Sequence, residues 1–471
     1  MSRKLILTLC FVMLAVALVG CAFEKKSTPA GRITGDVSVT RTPANELAGA
    51  TETSPVLLPE PTNTIEVAAL PEPTITPPPL PATETPIPPP ATETTLPPPA
   101  EYTGPVITHF EAGQSLTITS IRMQDAANGW AVGGWEEESD HVLITADGGQ
   151  TWRDVTPPEP APADSNLAAL GSFRDASTGW VTYRSQDEMI IPASAVVWRT
   201  QDGGQTWQSS LPLDLQGLSE VYWPSDLVFA DSQNGWLLVH VGAGMSHDYV
   251  ALYRTQDGGQ SWARLLDPYG GSEIQVCQKD TLVFPTVENG WLTGSCGGVM
   301  AGAFLYQTTD GGQSWQPVTL PAPAEAPNVL SESSPGYCGT QSPVFTSPQD
   351  GKLILRCEDF SQDPYVTNFY LYTTSDGGVT WVPAASPAGT LAFRAGDTGW
   401  ALSRDLFHTI DGGQTWTKVK TVNWDGQFSF VSDTLGWAVA RAETDTGTRI
   451  ALVQTTDGGK TWTIIHPVIA P

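Results

Sequence analysis

Residues 255–262 read Thr-Gln-Asp-Gly-Gly-Gln-Ser-Trp, and this stretch decides the fold because close copies of it recur through the chain. An aspartate side chain can accept hydrogen bonds from the N–H groups of the turn that follows it. The glycine pair supplies the positive φ angles that a tight turn needs. Each copy therefore predicts a tight turn that leads into a strand at its tryptophan. The seven aspartates are Asp147, Asp202, Asp257, Asp310, Asp376, Asp411 and Asp457.

A second element lies upstream of each Asp turn. It is Gly-Trp in six copies, at Trp130, Trp180, Trp236, Trp291, Trp400 and Trp437, and Gly351-Lys352 in the fifth. Seven residues earlier stands an aromatic residue, replaced by Met123 in the first copy: Phe173, Phe229, Phe284, Phe345, Phe393 and Phe430. Each repeat then divides into four short strands, here called strands A to D. Strand A ends near the aromatic residue, B begins at Gly-Trp, C runs into the Asp turn and D begins at its tryptophan.

Repeats of this length that hold four strands are typical of β-propellers. We therefore predict an all-β fold, a seven-bladed β-propeller with four-stranded antiparallel blades over residues 106–471. The first blade is complete in sequence, so closure by strand exchange between the two termini is possible but not required.

The repeats resemble the Asp-box (BNR) repeat of sialidases, sortilin-type receptors and some glucan hydrolases. Gly-Trp-Ala-Val at Gly129–Val132 and the Thr-x-Asp-Gly-Gly-x-Thr-Trp copies look closest to the photosystem II assembly and stability factor family. The resemblance covers about 350 residues of the chain. It implies that the seven aspartates are structural and lie away from the binding face. It implies nothing specific about activity, because one fold carries many functions.

The first residues predict a bacterial lipoprotein signal. Basic residues Arg3 and Lys4 precede an apolar run from Leu5 to Val19, too short to span a membrane comfortably, and Leu18-Val19-Gly20-Cys21 resembles a lipobox. The interpretation is a signal peptide over residues 1–20 and a lipid on Cys21. The alternative is an ordinary signal peptide with an incidental cysteine. The predicted location is the cell envelope, with the chain anchored by lipid on the outer side of a bacterial membrane.

Residues 21–105 form a Pro/Thr-rich linker, since 19 of the 40 prolines fall within 28–105. Such composition cannot bury enough apolar surface to offset its conformational entropy, so we expect a disordered tether with polyproline character. Fully extended, residues 28–105 reach at most roughly 240 Å at ~3.1 Å per residue. The formal net charge of the whole chain is -27. This charge disfavours a nucleic-acid partner, because phosphate binding needs clustered basic side chains.

Apart from Cys10 in the predicted signal peptide and Cys21, the predicted lipid site, the chain has four cysteines. They form two pairs with equal separations of 19 residues, and both pairs occupy the same places relative to strands A and B. We predict two disulfides within blades, Cys277–Cys296 and Cys338–Cys357, in keeping with an oxidising compartment. The alternative, a four-cysteine zinc site, lacks any C-x₂-C spacing.

Strand connectivity divides the loops between two faces. The A–B turns and the Asp turns share one face, here called the boxed face. The longer B–C and D–A segments share the opposite face, here called the long-loop face, where we expect function. Three tryptophans outside the repeated positions map there: Trp135, Trp223 and Trp424. They are candidates for binding a protein or for stacking on sugar rings, and the alternative is that they cover blade edges.

Arg122, Arg174 and Arg394 lie on or next to strand A near the axis. They are candidates for an anion site at the channel mouth, with ion pairing between blades as the favoured alternative. The acidic run 136–140 is interpreted as a solvated surface rather than a cation site. His240 and His247 share one loop, but no third metal ligand is identifiable, so no metal and no cofactor are predicted.

No sequence motif marks an enzyme. The Arg-Ile-Pro element of sialidases is absent, no P-loop, nucleophile elbow or H-E-x-x-H motif occurs, and no carboxylate pair is marked for glycoside hydrolysis. We therefore predict a monomeric, non-catalytic scaffold that binds a protein or glycan partner at the long-loop face, similar to photosystem II assembly factor-like proteins. The alternative is an exported glycoside hydrolase, sialidase-like or glucanase-like.

Overall fold

The structure is a computed structural model. It describes residues 107–136, 138–158, 167–186, 191–218, 220–297, 301–384, 387, 389–394, 397–403, 405–444 and 447–471. The predicted signal peptide, Cys21 and the Pro/Thr-rich linker lie outside these residues. Within the described part of the chain, the search for a helix able to span a bilayer finds none.

The strands follow one another in seven groups, called units one to seven. Unit one contains β1 (Thr117–Met123), β2 (Gly129–Gly134), β3 (His141–Thr145) and β4 (Thr151–Asp154). Unit two contains β5 (Leu167–Phe173), β6 (Gly179–Ser185), β7 (Trp198–Thr200) and β8 (Gln208–Ser209). Unit three contains β9 (Trp223–Phe229), β10 (Gly235–Gly244), β11 (His247–Thr255) and β12 (Ala263–Leu266). A short 3-10 helix, Glu273–Gln275, leads into unit four, which contains β13 (Gln278–Val283), β14 (Gly290–Ser295), β15 (Phe304–Thr308) and β16 (Gln316–Pro317).

The remaining units complete the chain. Unit five contains β17 (Gly336–Thr340), β18 (Val344–Phe345), β19 (Gly351–Asp359), β20 (Val366–Thr374) and β21 (Val382–Ala384). Unit six contains β22 (Thr390–Phe393), β23 (Gly399–Leu402), β24 (Asp405–Thr409) and β25 (Thr417–Thr421). Unit seven contains β26 (Asp425–Phe430), β27 (Gly436–Thr444), β28 (Gly447–Thr455) and β29 (Thr463–Ile465), and the short strand β30 (Val468–Ile469) follows it.

Neighbouring strands within a unit pair antiparallel in sequence order, giving four-stranded sheets consistent with a β-propeller. Two units depart from this pattern. A single bridge between Ser295 and Gly339 joins units four and five into one nine-stranded sheet. The strand A predicted for unit five is divided into β17 and β18 at residues 341–343, where one hydrogen bond to β19 persists, from the Gln341 N–H to the Ile354 carbonyl at 2.9 Å.

The repeated aromatic residues pack between units rather than within them. Trp236 of unit three stacks on Phe284 of unit four with ring centroids 3.7 Å apart, and its Nε1 donates to the Gly311 carbonyl at 2.8 Å. The same tryptophan–phenylalanine stacking recurs at three other junctions, and at a fourth the rings of Trp291 and Phe345 are in contact but tilted by 31°. In unit five, where lysine replaces tryptophan, Lys352 Nζ lies 4.7 Å from the centroid of the Phe393 ring. A cation–aromatic contact therefore replaces the tryptophan–phenylalanine contact at the junction between units five and six.

The first and last units are in direct contact. Gln427 Oε1 accepts the Ile121 N–H at 3.0 Å, and Ser429 Oγ accepts the Met123 N–H at 2.8 Å. Trp437 and Met123 share one buried cluster, which corresponds to the tryptophan–phenylalanine stack of the other junctions. Beyond unit seven, β30 pairs in parallel with β4 and adds a fifth strand to the first sheet. The carboxyl-terminal residues thus bind the outer edge of the first unit.

Both predicted disulfides are present. The Cys277–Cys296 and Cys338–Cys357 bonds each close a separation of 19 residues. Cys338 and Cys357 face each other across the β17–β19 ladder, and the other pair flanks the β13–β14 ladder. Each bond therefore ties strand A to strand B at its long-loop end, and the bonds fit an extracellular protein.

Candidate functional site

The seven Asp turns of the boxed face share one set of hydrogen bonds. The threonine two residues before each aspartate donates from Oγ1 to Oδ1 at 2.7–2.9 Å. The threonine or serine four residues after it donates its N–H to Oδ1 at 2.9–3.0 Å. The hydroxyl of that same residue donates to Oδ2 at 2.5–2.7 Å. Both oxygens of each carboxylate therefore accept hydrogen bonds from residues of its own turn.

These bonds favour the ionised form of the boxed aspartates. The Thr380 hydroxyl, followed by the Thr380 N–H, lowers the pKa of Asp376 to about 2. The pKa is lowered in all seven, and in Asp257 the hydrogen bonds outweigh an opposing effect of burial. Carboxylates held ionised in this way are poor proton donors at the pH of most enzymes. The boxed aspartates thus have the properties of scaffold groups.

Irregular strands mark the opposite face. A register shift leaves one extra residue in strand A of three units: Thr119 in β1, Ser225 in β9 and Asp280 in β13. All three stand four residues before the repeated aromatic position, where strand A is close to the long-loop face. A bulge redirects the side chain of the extra residue and is common beside active sites. Since β9 and β13 contact one another, Ser225 and Asp280 lie on adjoining strands of neighbouring units.

Asp226, next to the bulged Ser225, has a pKa shifted in the opposite direction from that of the boxed aspartates. Burial raises its pKa to about 6, and the charge of Asp280 raises it further. The Ser225 hydroxyl, which donates to Oδ2 at 3.0 Å, and the Leu282 N–H act against this rise, as does the charge of His240. A carboxyl group with such a pKa stays partly protonated in mildly acidic solution, which is what a general acid requires.

Asp280 is the second carboxylate of this cluster. The residue is exposed, yet desolvation by the surrounding protein raises its pKa, and the charge of Asp248 adds to the rise. The charges of His240 and of Arg356, on β19 of unit five, lower it. Two aspartates with raised pKa values therefore interact electrostatically at one place on the long-loop face. Pairs of this kind are typical of functional sites.

His240 connects the cluster to the β10–β11 hairpin. Its Nδ1 lies 2.8 Å from Asp248 Oδ1, and its Nε2 lies 3.1 Å from Ser225 Oγ. Asp248 is held in turn by Lys279, whose N–H donates to Oδ2 at 2.9 Å. Lys279 is itself buried, which lowers its pKa to about 8, and its ammonium donates to the Cys277 carbonyl at 2.9 Å. Two neighbouring units thus hold the imidazole in one orientation.

The three predicted tryptophans occupy different environments. Trp135 follows β2 and is 52% exposed. Trp223 is the first residue of β9 and pairs with His240, so it borders the acidic cluster, and the Arg184 guanidinium lies 4.1 Å from its ring centroid. Trp424 is partly buried, with its ring centroid 5.5 Å from that of Trp462. Their role in binding remains a prediction, and Trp223 is the one that the structure places beside ionisable groups.

The three predicted arginines lie at or near the boxed end of strand A. Arg394 follows β22 and forms an ion pair with Asp433 of unit seven at 2.6 Å, the alternative favoured from sequence. Arg174 follows β5, and its charge helps to lower the pKa of Asp231 in unit three. Arg122 lies within β1, where desolvation lowers its pKa. Arg394 thus pairs with an acidic turn of the neighbouring unit and Arg174 acts electrostatically on another, whereas the anion site stays a prediction.

Sequence reasoning missed Ser225, Asp226 and Asp280, and considered His240 only as a metal ligand. The segment 240–249 was expected to be a loop, but β10 and β11 extend through it as a hairpin. The B–C segments of units five and seven, also expected to be loops, are likewise shortened by pairing of β19 with β20 and of β27 with β28. Within the described residues, no group of three or more histidine, cysteine, aspartate or glutamate side chains is arranged to hold a metal ion. The available signal was an acidic residue inside strand A ahead of Phe229 and Phe284.

Two curated proteins that are similar in sequence to this chain are xyloglucanases. No family model matches the chain. It is 24% identical over 275 residues to an oligoxyloglucan-reducing end-specific xyloglucanase of Emericella nidulans, covering 52% of this chain and 31% of that protein. It is 22% identical over 357 residues to a xyloglucanase of Paenibacillus sp, covering 60% of this chain and 34% of that protein. The chain therefore spans about one third of the length of these relatives.

Among solved structures, YCF48 bound to a D1 peptide aligns with a TM-score of 0.46 and 21% identity. The alignment covers 76% of this chain and 98% of YCF48.

Proposed function

We propose that this protein is an exported glycoside hydrolase that cleaves a glucan of the xyloglucan type at its long-loop face. The observation that carries the proposal is the contrast between Asp226, whose pKa burial raises to about 6, and the boxed aspartates, whose pKa values are all lowered. The two xyloglucanase relatives support the substrate class. This reverses the preference for a non-catalytic scaffold that the sequence alone suggested.

In this proposal the two carboxyl groups have different tasks. Asp226 is the general acid and donates its proton to the glycosidic oxygen as the bond breaks. Asp280, which is exposed and whose raised pKa is opposed by the charge of Arg356, acts as the base for a water molecule or as the nucleophile. Trp223 borders the pair and offers an aromatic face for a sugar ring once Arg184 moves from it.

The proposal includes the architecture and the location of the chain. We propose that the seven units close into a seven-bladed propeller, since units seven and one share buried contacts and hydrogen bonds. We propose also that Cys21 carries the lipid that anchors the propeller outside the membrane, through a Pro/Thr-rich linker. The two disulfides support an oxidising location.

The test is sugar release from tamarind-type xyloglucan by the full-length protein, compared with Asp226→Asn, Asp280→Asn and the boxed control Asp457→Asn. Removing either acid–base group should lower kcat by at least about 100-fold, whereas Asp457→Asn should retain the activity of its folded fraction. Because the general acid must be protonated, kcat should fall as the pH rises through about 6. Equal rates for Asp226→Asn and the wild type would exclude this site.

A second function is favoured by the exposure of Trp135 and by the long β10–β11, β19–β20 and β27–β28 hairpins. These features suit a surface that binds a glycan or a protein without cleaving it. Retention of the wild-type protein on immobilised xyloglucan, without any release of reducing sugar, would support this scaffold function. Weakened retention of Trp135→Ala or Trp223→Ala would then locate the binding surface.

A further inference from the structure

Three side chains of unit three stand in the order that nucleophilic hydrolases use. Asp248 Oδ1 lies 2.8 Å from His240 Nδ1, and His240 Nε2 lies 3.1 Å from Ser225 Oγ. The carboxylate and the hydroxyl thus contact opposite nitrogens of one imidazole. In this arrangement the carboxylate keeps the proton on Nδ1, so that Nε2 is free to accept the proton of the hydroxyl.

We propose that Ser225 is a nucleophile, with His240 as its base and Asp248 as the positioning residue, and that this site hydrolyses carboxylic esters. The substrate class is an acyl ester, such as an acetyl group on a sugar hydroxyl. The choice of an acylated glycan rests on the proposed function, whereas the ester chemistry rests on the three side chains alone.

Local structure supports this role for Ser225. It is the extra residue of a bulge in β9, and two residues of β10, Leu238 and Val239, pair on either side of it with Asp226 and Pro224. The corresponding bulged residue of unit one, Thr119, instead donates to the Val132 carbonyl and contacts Ser139. The same bulge thus occurs in units one and three. Of these two, only unit three places the bulged hydroxyl beside an imidazole, that of His240.

The second partner of Ser225 affects when the hydroxyl is available. Its single O–H can point either to His240 Nε2 or to Asp226 Oδ2, which lies 3.0 Å away. A protonated Asp226 donates to Ser225 Oγ and leaves the serine proton to His240. An ionised Asp226 competes for that proton, and rotation of the hydroxyl between the two acceptors then precedes attack.

The reaction balances without a cofactor. Ser225 Oγ forms a bond to the ester carbonyl carbon while its proton moves to His240 Nε2. Collapse of the tetrahedral intermediate breaks the carbon–oxygen bond of the ester, and His240 returns the proton to the departing alcohol. Water, deprotonated by His240, then attacks the acyl-serine. The bond from the acyl carbon to Ser225 Oγ breaks, His240 returns the proton to that oxygen, and the carboxylic acid departs.

The test exposes the full-length protein to a fluorophosphonate probe and maps the modified residue by mass spectrometry. We expect one modified residue, Ser225, in the wild-type protein. Hydrolysis of p-nitrophenyl acetate should fall by at least about 100-fold in Ser225→Ala and should persist in the matched control Thr119→Ala. Because mapping uses the wild-type protein, the result does not depend on whether a variant folds.

Absence of the probe from Ser225, or equal ester hydrolysis by Ser225→Ala and wild type, overturns the proposal. Xyloglucan cleavage is measured on the same preparation. Ester hydrolysis without sugar release rejects the glycoside hydrolase function and supports the ester site. Sugar release without modification of Ser225 supports the glycoside hydrolase function and rejects the ester site.

Discussion

The boxed face and the long-loop face use the same residue type for opposite purposes. On the boxed face, each aspartate accepts hydrogen bonds from its own turn, and its pKa is lowered. On the long-loop face, Asp226 lies beside one bulge and Asp280 is the extra residue of another. Burial raises the pKa of both, and the charge of Asp280 adds to the rise in Asp226 as that of Asp248 does in Asp280. Hydrogen bonds to a carboxylate favour its charged form, whereas desolvation disfavours it. The direction of the pKa shift therefore distinguishes scaffold carboxylates from candidate catalytic ones.

The largest expected difference between the two faces concerns tryptophan. Trp236 is fully buried beneath the boxed face, between Phe284 and the Gly311 carbonyl, and Trp135 is 52% exposed on the long-loop face. We expect Trp236→Ala to lower the free energy of unfolding by about 3–5 kcal/mol. Trp135→Ala should change it by less than about 0.5 kcal/mol. Urea unfolding followed by circular dichroism measures both, and similar losses in the two variants would contradict the division.

The two faces are stabilised by different covalent and non-covalent features. Repeated Asp turns lie on the boxed face, and the two disulfides join strands A and B at their long-loop ends. Closing a separation of 19 residues predicts a contribution of about 3 kcal/mol from the Cys338–Cys357 bond. The double variant Cys338→Ala/Cys357→Ala should lose that amount in urea unfolding under oxidising conditions. In the presence of reductant, the difference from wild type should shrink. A constant difference in both conditions would assign the loss to packing instead.

The smallest effect is expected for the ion pair on the boxed side. Arg394 Nη1 lies 2.6 Å from Asp433 Oδ1, but the two side chains are 34% and 64% exposed. Solvent screens such pairs, so Arg394→Ala should change the free energy of unfolding by less than about 1 kcal/mol. Repeating the measurement in 1 M salt provides the control, because the wild type should approach the variant there. A loss above 2 kcal/mol would show that this contact does more than pair two surface charges.

The sequence predicted the repeating part of the molecule well because repetition is a local signal. The Asp-Gly-Gly turns, with Gly258 at φ 73° and Gly259 at φ 88°, follow from residues adjacent in the chain. The all-β class and both disulfides were confirmed, and equal spacing was sufficient to pair the cysteines. At Lys352 the sequence showed only that lysine replaces the repeated tryptophan, because the cation–aromatic contact with Phe393 joins two units and leaves no local trace.

The candidate site was not predictable in the same way. Ser225 and Asp226 belong to β9, His240 and Asp248 to the β10–β11 hairpin, and Asp280 to the next unit. Their proximity depends on the register of β9 against β10 and on a bulge that no local sequence rule specifies. The raised pKa of Asp226 depends on burial, which the tertiary structure determines. Sequence reasoning therefore turned to the tryptophans of the same face, and only Trp223 among those three borders the cluster.

One pair of substitutions within unit three tests the central contrast most directly: Asp226→Asn against Asp257→Asn, in urea unfolding at pH 7.5 and pH 4. The raised pKa of Asp226 means that its ionisation opposes folding above about pH 6, and that the penalty disappears as the pH falls toward 4. Asp226→Asn should therefore stabilise the protein at pH 7.5 by about 1–3 kcal/mol, with a smaller gain at pH 4.

The lowered pKa of Asp257 has the opposite consequence. Its ionised form contributes stability above about pH 4, and this stability is lost as the pH falls below that value. Asp257→Asn should therefore destabilise the protein at pH 7.5 by about 1–2 kcal/mol, through weakened bonds to Ser261 and Thr255. Opposite signs for the two variants at pH 7.5 are the predicted result, and the same sign for both would contradict the distinction between scaffold and functional carboxylates.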